Sequence, residues 1–136
     1  MATSSSSMIT KATLVICAVG AIGSLWIGFA GLGWSLMVAE DILIFPLVTG
    51  PYALIAGLAW WQRSSRQVSI ALLLIALLFS TYGFWSLGSS FYLRYSRRQA
   101  EHAMDLTPIV MPAIQWLLSI ALALGIGVAV ARKPKR

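Results

Sequence analysis

The chain has 136 residues, of which 59% are hydrophobic and only 10% charged, with a net charge of +6. A soluble domain carries close to a quarter charged residues, so this composition excludes one. A single Cys and a single His exclude an internal disulfide, a dithiol pair and bis-histidine haem ligation from within one chain.

The charges are segregated. Residues 12–39, 42–62, 67–93 and 106–131 carry none. Each run reaches the roughly 20 residues that a helix needs to cross a bilayer. The expectation is an all-α, integral membrane four-helix bundle, up-down-up-down, forming a single domain over residues 1–136. Its spans fall near 12–36, 42–62, 68–93 and 106–131, with residues 1–10 and 132–136 flexible. The polar start MATSSSSMIT is followed by an apolar run too long for a signal-peptide core.

The first span carries Gly20, Ser24, Gly28 and Gly31 on one face at helical spacing. Lipid tails are as apolar as Leu, so membrane helices associate where small residues let backbones approach. These positions predict helix packing. Trp26 lies in the same span, away from its ends, and Cys17 is expected to be an inert core residue.

The second span begins after Glu40 and Asp41, acids suited to the positive end of a helix. It contains Pro46 and Pro51. A proline inside a helix removes a donor and frees the carbonyl four residues earlier. Pro51 is expected to kink the span, with Tyr52 beside the kink. Trp60 and Trp61 near Arg63 predict an interfacial anchor.

The third span repeats the small-residue stripe with Ala76, Ser80, Gly83 and Ser90, and adds Tyr82 and Trp85. Residues 83–91, GFWSLGSSF, echo residues 28–36, GFAGLGWSL, with five identities in nine. The echo fits a duplicated helical hairpin, and it equally fits convergence on Gly-rich packing.

The fourth span follows Glu101 and Asp105 and contains Pro108, Pro112, Gln115 and Trp116, with a further small stripe of Ser119, Ala123, Gly127 and Ala131. Gln115 is a strongly polar side chain near the bilayer centre, where an unpaired amide is costly. Thr49, Tyr52, Ser80, Thr81 and Tyr82 are its candidate partners. One reading makes Gln115 an interhelical tie. The other places Gln115, Trp116, Pro112, Pro51, Tyr52, Trp26, Trp85 and Tyr82 around a ligand or partner. Such a ligand would enter an outward crevice between the kinked second and fourth helices. A lipid, quinone or pigment would suit these aromatics, but no cofactor is required and no metal site is expected.

With four spans, both termini and the short 62–67 connection share one side, which holds Lys11, Arg63, Arg66, Arg132, Lys133, Lys135 and Arg136 and no acid. The other side holds Arg94, Arg97, Arg98 and all four acids. Lys and Arg collect in cytoplasmic loops, so both termini are expected to face the cytoplasm. The basic balance therefore points to membrane lipids as partners and not to nucleic acid.

The stretch EHAMDLTPIVMPAIQ, residues 101–115, resembles a pattern in an uncharacterised group of small four-helix bacterial membrane proteins. Glu101, Leu106, Pro112 and Gln115 occupy the matching places, and Pro46, Pro51 and Tyr52 are similar to that group's second span. The resemblance implies a bacterial inner, or thylakoid-type, membrane and a four-helix fold, and it brings no activity. Small multidrug transporters and fluoride channels are of similar size. The chain lacks the embedded Glu of the former and the polar filter pattern of the latter.

No Ser/His/Asp set, phosphate loop or intramembrane acid is present. The chain is therefore expected to be no enzyme. The expected function is an accessory or structural subunit that packs against a larger membrane complex and holds lipid or pigment. The alternative is a homo-oligomeric channel or small transporter whose path runs beside the second and fourth helices. An enzyme acting on lipid or quinone would have to draw on Glu101, His102 and Asp105 of the 94–105 loop.

Overall fold

The computed structural model describes residues 2–32, 39–96 and 107–132. Among these, four α-helices account for nearly everything, and there is no strand. They are α1 (Ala2–Ile27), α2 (Ala39–Trp61), α3 (Arg66–Ser96) and α4 (Thr107–Ala131). All four are long and apolar enough to cross a membrane. Gly28–Leu32 prolong α1 as a short π-helical segment, where the Phe29 ring packs on Phe45 of α2 with centroids 5.2 Å apart.

The start of α1 departs from the expected flexible segment. Helix begins at Ala2, and Ser6, Thr10 and Thr13 are buried. Ser6 Oγ donates to the carbonyl of Arg63 in the α2–α3 connection. Thr10 Oγ1 returns to the carbonyl of Ser6 and Thr13 Oγ1 to that of Ile9. Short hydroxyl side chains can bond the carbonyl one turn back, which lets a polar helix face pack without orphaned groups.

The prolines do not interrupt the helices. α2 runs through Pro46 and Pro51, and α4 through Pro112. Pro51 and Pro112 are buried among neighbouring helices, the setting in which membrane helices tolerate proline.

The packing order differs from the chain order. α1 makes its largest interface with α3 and a second with α2, while α4 packs on α2 and α3. No contact joins α1 to α4 among the described residues. The apolar core gathers Cys17, Ile55, Ala59, Leu72, Ala76 and Phe79, with Leu122, Ala123 and Ile126 of α4 against it. Burial of these side chains is supplemented by close backbone approach, as expected where lipid offers no contrast in polarity.

The first copy of the internal echo falls partly in the π-helical segment and partly outside the described residues. The second lies within regular α3. The 97–106 part of the long connection, with Glu101, His102 and Asp105, lies outside the described residues, as do Trp34 and residues 133–136.

Candidate functional site

A polar cluster joins all four helices at the middle of the bundle. Its centre is a backbone atom, the carbonyl oxygen of Phe79 in α3. Tyr52 Oη donates to it from α2 at 3.0 Å, and Gln115 Nε2 donates to it from α4 at 3.1 Å. Both side chains are buried. A carbonyl has two lone pairs, and two side-chain donors converge on this one.

Glycines make the approach feasible. A Cβ at position 83 would lie 2.6 Å from Tyr52 Oη, 3.5 Å from Ser24 Oγ and 3.8 Å from Gln115 Nε2. A Cβ at position 20 would lie 2.5 Å from both Ser80 Oγ and Tyr52 Cε1. The α1 and α3 stripes therefore leave the space that the Tyr52 ring occupies. Ser80 Oγ points across to the carbonyl of Ile16, a long 3.4 Å bond. Ser119 Oγ takes up the carbonyl of Gln115 itself at 2.7 Å.

Of the residues singled out from sequence, Gly20, Ser24, Tyr52, Ser80, Gly83 and Gln115 meet in this cluster. Ala76 is fully buried one turn below, and Gly28 is buried one turn above Ser24. Gly31 lies in the π-helical segment. Thr49 and Thr81, proposed as partners of Gln115, instead bond the carbonyls of Phe45 and Leu77 in their own helices.

The aromatics require a correction. Trp26 is 73% exposed, Trp85 65% and Tyr82 55%. They stand on the outside of the bundle, apart from Gln115, with Tyr82 and Trp85 paired edge to face at 6.5 Å. Indoles on the outer surface of a bundle need no interior partner, because they face the surrounding medium. Trp116 does turn towards α2. Its ring occupies the place a side chain at Gly50 would take. The Trp116 ring thus packs against Gly50, the residue before Pro51.

Sequence reasoning missed the acceptor, because a main-chain carbonyl leaves no trace in residue types. It also missed Gly23, which lies against the Phe84 ring, and Ser86. Among the described residues, the buried hydroxyls of Ser24, Ser86 and Ser90 have no hydrogen-bond partner. Spacing offered a hint: positions 79, 83, 86 and 90 recur at intervals of three and four along one face of α3.

Among the described residues, the cluster is built from hydroxyl, phenol and amide groups, with no carboxylate, imidazole or ammonium group. Tyr52, Gln115, Ser80 and Ser119 donate to main-chain carbonyls, whereas Ser24 Oγ has no partner among the described residues. No protein-family model, curated protein or solved structure matches this chain.

Proposed function

We propose that this chain is a non-enzymatic accessory subunit of a bacterial-type membrane, with four spans and both termini cytoplasmic, that packs through α4 against another membrane protein. The observation that carries this reading is the outer face of α4. Ala121, Gly125 and Ala129 are exposed there one turn apart, and a Cβ at Gly125 would meet nothing within 4 Å. Leu117 and Leu124 stand beside them, also exposed. A small-xxx-small row flanked by Leu is the surface on which a second membrane helix packs closely. Within the bundle such rows on α1 and α3 are occupied; on α4 this one is open.

Several contacts support the up-down alternation. Ser6 of α1 meets Arg63 just before α3, Gly20 meets Ser80, and Gly23 meets Phe84. Thus α1 and α3 ascend together, while Tyr52 in the middle of α2 reaches the middle of both. The cation bias then sets the orientation. In a Cys17→Ser background, single cysteines at Ser64 and Ala100 test it with an impermeant thiol reagent on intact cells. Labelling at 100 alone agrees with the proposal; labelling at 64 alone inverts it. Bound lipid or pigment belongs, on this reading, against the exposed Tyr82–Trp85 pair.

A second reading, a homo-oligomeric channel or transporter, draws on Ser24, Ser86 and Ser90, whose unpartnered hydroxyls suit an internal polar path. That path would follow α1 and α3. Photo-crosslinking from position 125, set out in the Discussion, separates the two readings by the identity of the captured chain.

A further inference from the structure

Where α1 begins and α2 turns into α3, the helices form a half-open surface pocket of about 540 Å³. Three cations line it, Lys11 from α1 and Arg63 and Arg66 from the connection and the start of α3. None of its lining residues is an acid. Between Met1 and Glu40, and again between Asp41 and Glu101, the sequence contains no carboxylate at all. Among the described residues, the positive charge therefore has no counter-ion from the pocket walls.

The pocket is built, not merely a gap between mobile side chains. Ser6 Oγ holds the Arg63 carbonyl, which fastens the connection to α1. The Arg63 guanidinium lies over the Trp60 ring, 5.0 Å from its centroid, a cation–π contact that restrains it. Ser7 and Ser64 add exposed hydroxyls to the rim. Cations and hydroxyl donors converging on one concavity are the chemistry that recognises a phosphate ester.

Its depth selects the source. The pocket lies at the edge of the apolar span that starts at Ser5, with Leu14 on one wall and the Trp60 ring on another. Trp60 and Trp61 are both more than half exposed beside it, the position of interfacial aromatics. A headgroup seated among the cations would have its acyl chains along apolar helix surface. We propose that this pocket binds the phosphate of an anionic phospholipid headgroup. The proposal rests on the membrane reading and not on the accessory-subunit reading. A chain that fails to enter bilayers would refute the former before lipid selectivity is measured.

The test is native mass spectrometry of the full chain released from bilayers of equal phosphatidylglycerol and phosphatidylcholine. Wild type should retain phosphatidylglycerol in preference. Each cation near the surface contributes about fivefold, so the double variant Lys11→Gln/Arg66→Gln should lower that retention about 25-fold. Arg132→Gln lies outside the pocket and should change it less than about twofold. Ser64→Asp places an acid on the exposed rim and should also abolish the preference, which keeps the test decisive if the double variant folds poorly. Equal losses in Arg132→Gln and the pocket variants would overturn the site in favour of a diffuse basic field. Complete displacement of the lipid by millimolar glycerol phosphate would overturn the lipid source, and equal retention of both lipids by wild type would overturn the proposal outright.

Discussion

Tyr52 and Gln115 stand on different helices and donate to the same oxygen, the main-chain carbonyl of Phe79. Because one acceptor serves both, neither bond is independent of the other. Removing either donor leaves the carbonyl engaged and lets the remaining bond strengthen. Interhelical hydrogen bonds in membrane proteins average about 0.6 kcal/mol. Tyr52→Phe and Gln115→Leu should therefore each cost no more than about that amount, while the double variant should cost more than their sum by about 0.5 kcal/mol or more. Unfolding free energies in detergent for the four-variant cycle check this. Strict additivity would show that the two donors act separately.

Gly83 sets how closely Tyr52 can approach. A methyl group there would lie 2.6 Å from the phenol oxygen, so α2 and α3 must separate or the tyrosine must leave the carbonyl. Overpacking of this kind costs about 1–3 kcal/mol. Gly83→Ala should lower the melting temperature in detergent clearly, whereas Leu74→Phe, at an exposed position on the same helix, should leave it nearly unchanged. Equal shifts would mean that position 83 is not a packing contact.

The tryptophans divide into outward and inward rings. Trp26 and Trp85 are largely exposed, while the Trp116 ring packs against Gly50. In bilayers with brominated acyl chains, single-tryptophan variants retaining only Trp26 or only Trp85 should be strongly quenched. A variant retaining only Trp116 should be quenched much less. The reverse order would place Trp116 on the lipid-facing surface.

The four long apolar helices were legible because a helix long and apolar enough to cross a membrane leaves a charge-free run. The runs and α2, α3 and α4 coincide to within a few residues, whereas α1 begins well before its run, and residues 33–38 of that run lie outside the described residues. At the start of α1 the run of serines hid a helix, since hydroxyls that bond their own backbone look like loop residues in composition. Gly20, Ser24, Ser80 and Gly83 lie where α1 and α3 approach, because close approach demands small side chains whatever the solvent. Trp26, Trp85 and Tyr82 were not placed, for a related reason. When core and lipid are equally apolar, hydrophobic periodicity no longer distinguishes inside from outside. The Phe79 carbonyl was invisible for a different reason: every residue carries one, and only the fold selects which is approached.

The central claim is that the open row on α4 is covered by another protein. A photo-reactive phenylalanine analogue at position 125, activated in native membranes, tests it most directly, with the same group at position 74 on the exposed side of α3 as control. The account predicts a discrete adduct with a different polypeptide from position 125 and none from position 74. An adduct between two copies of this chain, or no protein adduct from position 125, would contradict it.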